Sequence, residues 1–176
     1  MEWLSRIQQA IVDKRLYLYF QPIIALSNKN ELEEHGEFLL RLRDEQNQLI
    51  LPGSFLSSAE RHDQMLMIDR WVVEQSLMLL KERFQQQSKV VYTINLSAHA
   101  LESEDFLDFV VDNLKTYQKI SSNICFEITE NIALTDLTHV MQFIATLKEL
   151  GCRFSIDRFG SGLSSFGYLK DIPLDY

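Results

Sequence analysis

Four short segments set oxygen-bearing side chains beside apolar runs: Gly36-Glu37-Phe38-Leu39-Leu40-Arg41, Ile94-Asn95-Leu96-Ser97-Ala98, Phe126-Glu127-Ile128-Thr129-Glu130-Asn131, and the stretch from Ser155 through Asp157, Arg158 and Phe159 to Gly162. Successive residues of a strand face opposite ways, so Glu37, Leu39 and Arg41 oppose Phe38, Leu40 and Leu42. By the same test Asn95 shares a face with Val91 and Thr93, Glu127 with Cys125 and Thr129, and Asp157 with Ser155. Each polar face ends in a carboxylate or amide near the strand's carboxyl end, where parallel α/β folds place their chemistry. Glu37, Asn95, Glu127 and Asp157 are therefore expected to converge. Three carboxylates taken out of water need compensation, and Mg2+, Mn2+ or Ca2+ are the hard cations that prefer oxygen donors. Such a set suits metal-assisted chemistry on phosphate. A single acid at a strand end more commonly caps a helix or pairs with an arginine; four in matching positions favour a shared ion. Arg41 has two open readings, a structural salt bridge to Glu37 and a forked donor for phosphate.

The elements that must position these residues follow from periodicity. Trp3, Leu4, Ile7, Ala10 and Ile11 keep the helical spacing and predict a first helix ending near Lys14. Leu16 to Ile24 and His35 to Leu42 have strand character. The polar stretch between them is too short for a parallel crossover, which predicts an antiparallel pair. A long helix follows over Met65 to Gln85. The chain then alternates: strand Val90 to Asn95, helix Glu104 to Tyr117, strand Ile124 to Ile128, helix Leu137 to Leu150, strand Arg153 to Ile156. Gly151 stands where a C-terminal helix cap would. This order predicts a mostly parallel sheet wrapped by helices, either a barrel or a doubly wound fold.

Composition limits the partners. The 176 residues are 46% apolar and 24% charged, with three prolines and six glycines, as expected of one globular unit with a sizeable core. No apolar run reaches the roughly 20 residues of a spanning helix, and no signal sequence is evident, so the reading is cytoplasmic with no membrane insertion. A net charge of -8 without clustered Lys or Arg argues against a nucleic-acid polymer as partner. A small phosphate ligand stays compatible if cations offset the acidity. Cys125 and Cys152 read as structural thiols. His35 precedes the Glu37 strand and reads as a packing or surface residue rather than a metal ligand, and Ser161 and Gly162 are expected to shape a loop after the fifth strand.

With these motifs in order, the chain resembles the EAL family, bacterial phosphodiesterases and receptors for cyclic di-GMP. Phe20-Gln21-Pro22-Ile23 resembles the opening YxQPI strand, and Glu37-Phe38-Leu39 stands at the Glu-Ala-Leu triplet, followed by Leu40-Arg41. Asn95-Leu96-Ser97-Ala98 repeats the NLSA segment, Glu127-Ile128-Thr129-Glu130 the ExTE segment, and Asp157 to Gly162 the DDFGTG loop. Pro52, Phe55, Ala59-Glu60 and Asp69-Arg70-Trp71-Val72 fit the connecting pattern. The resemblance implies a (β/α)8-type, TIM-like barrel with its first strand antiparallel. It implies Mg2+ or Mn2+ held by Glu37, Asn95, Glu127 and Asp157, with Glu37 and Asp157 at the catalytic centre. Gln21, Arg41, Asn95 and Arg158 fall among the positions expected to meet the ligand. The implied reaction is metal-dependent hydrolysis of cyclic di-GMP to pGpG.

Two departures from the family pattern temper that expectation. Arg158 replaces the second Asp of the DDFG loop, putting a fixed positive charge where the family has a metal-holding acid. The chain also stops at Pro173-Leu174-Asp175-Tyr176, where the family continues into its LKID strand and beyond. The expectation is a C-terminally incomplete EAL domain over residues 1–176, truncated after about five strands, whose open edge is covered by self-association as a homodimer. Three readings of function result: an impaired phosphodiesterase, a catalytically inactive cyclic di-GMP receptor, and a protein-interaction module.

Overall fold

A computed structural model describes residues 2–24, 26, 34–86, 89–131, 137–160 and 172–176. Helix α1 spans Glu2–Val12 and buries Ile7 and Ala10. Strand β1, Leu16–Ile23, then lies antiparallel to β2, Glu34–Arg43, in a register that sets Gln21 against Glu37 and Tyr19 against Leu39. The short connection dictated that direction. A two-residue strand β3, Leu49–Ile50, folds back onto the end of β2. It is too brief for any periodicity to announce.

Pro52–Ser54 forms a 3-10 turn and leads into α2, Leu56–Arg61, and the long α3, Met65–Gln86. Strand β4, Val90–Asn95, runs parallel to β2. Two helices follow it, α4 over Ala98–Glu102 and α5 over Glu104–Thr116. Ser97 caps the first, its hydroxyl accepting the Ala100 N–H at 3.3 Å, and Ser103 caps the second by accepting from Phe106 N–H at 3.1 Å. A 3-10 segment, Gln118–Asn123, enters β5, Ile124–Thr129; helix α6, Leu137–Glu149, and strand β6, Arg153–Asp157, complete the order. Gly151 takes φ +96°, the left-handed turn that closes α6.

Among the described residues the sheet runs β1-β2-β4-β5-β6 with β3 beside β2, parallel after the opening antiparallel pair. Residues at the chain's end continue it, since Asp175 N–H donates to Phe154 O at 2.8 Å and Ile156 N–H to Tyr176 O at 3.4 Å. This is an open arc of the α/β barrel type, with its first strand antiparallel. The helix-facing side carries Phe38, Ile94, Phe126 and Phe154, all buried. Phe20 is placed on that side too, its ring 4.8 Å from Tyr92 and 6.1 Å from Phe38. Gly36 makes room for it: a Cβ there would meet the Phe20 ring, and the Gln21 carbonyl at 2.8 Å.

Candidate functional site

Register, rather than proximity in sequence, assembles the site. Glu37 lies beside Thr93 and Thr93 beside Cys125; one step toward the carboxyl ends, Asn95 lies beside Glu127 and Glu127 beside Ser155; one step further, Thr129 lies beside Asp157. Parallel strands in this stagger carry all four expected side chains to the same face and the same end. The Asn95 Nδ2 donates to Glu37 Oε1 at 2.6 Å. Ser155 Oγ donates to Glu127 Oε2 at 2.9 Å.

Glu127 is held above the usual carboxylate range. Burial is the main cause; the negative charges of Glu37 and Asp157 add to it, against the Ser155 hydrogen bond. The contributions of Glu37 and Asp157 place these two acids with Glu127 in one electrostatic neighbourhood. Among the described residues no three acidic, histidine or cysteine side chains already form a closed ligand cluster. A carboxylate raised by burial, with two like-charged neighbours adding to the shift, is the polar chemistry that a bound cation would relieve.

Around this centre the other expected residues separate. Gln21 is exposed on β1 beside Glu37. The Arg41 guanidinium donates to its neighbour's carbonyl, Leu40 O, at 2.7 Å and lies 5.5 Å from the Tyr19 ring centroid. Of the two readings of Arg41, the salt bridge to Glu37 is thus not among its described interactions. Arg158 pairs with its own neighbour: its backbone N–H donates to Asp157 Oδ1 at 2.7 Å, and its Nε lies 3.6 Å from Asp157 Oδ2 with the side chain 75% exposed. That short bond accompanies φ +55°, a conformation uncommon for a side chain of this size. His35 belongs to packing, with Nε2 3.3 Å from Thr93 Oγ1 and its ring 5.1 Å from Tyr176. Cys125 and Cys152 are buried free thiols, pushed up chiefly by burial to about 11 and about 12. Ser161 and Gly162 lie outside the described residues.

Two buried acids of the framework carried no role in the sequence reading. Glu130, 2% exposed, accepts the Gly160 N–H at 2.8 Å and so ties the end of β5 to the loop after β6. Asp69 of α3, 4% exposed, accepts from Ser97. The available signal was an acid inside an apolar helical stripe, Ile68, Asp69, Val72 and Val73.

The family model for the EAL domain matches residues 4–176. The chain belongs to the EAL domain family. It is 34% identical to cyclic di-GMP phosphodiesterase PdeB of Shewanella oneidensis over 99% of its own length, while spanning 20% of that protein. Among solved structures, the FimX EAL domain from Pseudomonas aeruginosa bound to c-di-GMP superposes with a TM-score of 0.89 at 30% identity, covering all of this chain and 70% of that one. The PaMucR phosphodiesterase in complex with c-di-GMP gives 0.87 at 29%, covering 99% and 70%. The chain therefore spans about a fifth of the curated relative and about seven tenths of these solved chains.

Proposed function

We propose that this chain is the cyclic di-GMP-binding part of an EAL domain, with metal-dependent hydrolysis to pGpG as the reaction of the complete domain. Supporting the reading above all is the Asn95–Glu37 contact of 2.6 Å beside a Glu127 that feels both Glu37 and Asp157. Glu37, Asn95, Glu127 and Asp157 would hold Mg2+ or Mn2+, for which their oxygens are suited. Such an ion would supply positive charge to the phosphodiester and lower the pKa of a water, so that it could attack as hydroxide. Gln21 and Arg41 are assigned to the ligand, Arg41 from a guanidinium already steadied by the Tyr19 ring. Glu37 and Asp157 are assigned to the reacting centre, and Ser155 keeps Glu127 oriented through its hydroxyl.

Arg158 favours a second reading, a receptor that binds without cleaving. Its guanidinium shares the Asp157 carboxylate that a cation would use. We further propose that copies of the chain associate across the open edge of the sheet, and that the domain works in the cytoplasm, no described helix being long and apolar enough to cross a membrane. The deciding experiment incubates the protein with cyclic di-GMP and Mn2+ and records bound ligand and pGpG together. Binding with weak turnover is expected; binding alone selects the receptor, and neither binding nor turnover overturns the proposal.

A further inference from the structure

Behind the site, α3 sends one carboxylate into the core. Asp69 is 4% exposed, on the stripe shared with Ile68, Val72 and Val73. Its partners are both on Ser97: the hydroxyl donates to Oδ2 at 2.5 Å, and the backbone N–H donates as well. Ser97 already serves α4 as its cap, and a serine cap needs no carboxylate behind it. Burying an acid for that purpose alone would be costly, so the contact calls for another reason.

The reason lies two residues upstream. Asn95 is the last residue of β4, exposed, and its carboxamide reaches Glu37 Oε1 at 2.6 Å. The next residue, Leu96, donates its N–H to Glu127 O at 2.9 Å, and the one after that is Ser97. The turn leaving Asn95 is thereby tied to β5 by one bond and to α3 by two. The Asn95 backbone is thus held by strand pairing before it and by these bonds after it, in the position from which its side chain meets Glu37.

We propose that Asp69 is a positioning residue of this site, clamping Ser97 so that the Asn95 carboxamide is aimed at Glu37. In this role Asp69 acts through Ser97 and Asn95 rather than by its own contact with ligand or ion. The inference deepens the function proposed above, and rests on it only for what Asn95 holds; the aim of Asn95 itself is a matter of geometry.

The test uses the full chain and the side-chain amide pair of Asn95 in a 1H–15N correlation spectrum, assigned by its loss in Asn95→Ser. Wild type should show a dispersed pair. In Asp69→Ala that pair should move toward the positions of free, exposed amides, and Mn2+ binding, measured well below the melting temperature, should weaken about tenfold. Asp69→Asn keeps an acceptor for Ser97 and should restore both to within about twofold of wild type. Should Asp69→Ala fail to fold, Ser97→Ala removes only the hydroxyl donor and should shift the same amide in the same direction. A variant with a lowered melting temperature but an unmoved Asn95 amide and unchanged Mn2+ affinity would show a purely stabilising role and overturn the proposal. Wild-type protein that binds no Mn2+ would sink the cation assignment, while the amide signal would still decide this one.

Discussion

Arg158 shows how one side chain can alter a site without disturbing its frame. It sits beside Asp157, the last of the gathered acids, and contributes a positive charge there. Two unit charges about 4 Å apart interact by about 4 kcal/mol at an effective dielectric near 20, but a side chain this exposed is screened to about 1 kcal/mol or less. Arg158→Gln is therefore expected to tighten Mn2+ binding by up to about fivefold in an isothermal titration. Unchanged or weaker binding would mean that the guanidinium does not compete for Asp157. At Asp69 the residue-scale argument is one of pH. Burial raises its carboxyl from 3.8 to about 7, so the folded state holds a proton that the unfolded chain has already released. The contribution of this group to folded stability should consequently fall as pH rises from about 4 to about 7, by on the order of 4 kcal/mol, and level off above. In denaturant titrations across that window, Asp69→Asn should flatten the slope; a parallel slope in both proteins would contradict the assignment.

At the scale of elements, how much could be read from the sequence depended on length and on burial. Val90–Asn95 was legible to the residue because an apolar run ends in a polar amide, and the antiparallel start was legible because the chain between β1 and β2 is too short to cross over. Strand β3 and helix α4 were not, having two and five residues, too few to complete a period; for α4 only the Ser97 cap gave a sign. The gathering of Glu37, Asn95, Glu127 and Asp157 was legible from alternation plus parallel register. Their support was not: the Asp69–Ser97 and Glu130–Gly160 contacts join segments whose proximity arises only after the helices pack. Gly36 belongs to the same scale. Because a Cβ would displace the Phe20 ring and crowd the Gln21 carbonyl, Gly36→Ala should cost about 1–3 kcal/mol and loosen the β1–β2 pair that carries Gln21 and Glu37. Thermal unfolding would measure it, and a neutral substitution would show that the Phe20 ring swings aside freely.

For the molecule as a whole, the salient property is an open sheet whose first strand is poorly covered. Tyr17, Tyr19, Phe20 and Ile23 on β1, and Ile24 after it, each remain at least 39% exposed among the described residues. Such a row of apolar side chains on an edge strand is a template for pairing. Multi-angle light scattering is expected to find dimers or larger species that dissociate on dilution, and a strictly monomeric protein at high concentration would refute association across this edge.

The reversed first strand has a mechanical corollary. Because β1 begins level with Leu42, near the carboxyl end of β2, and Arg15 bonds to the Arg43 carbonyl at 3.0 Å, α1 delivers the chain at the rim bearing Arg41 rather than at the far end of the sheet. Had that strand run the other way, the same helix would have arrived some eight residues off, about 27 Å distant. α1 therefore joins the sheet at the end that carries Arg41, and a displacement of this helix would reach β1 there first.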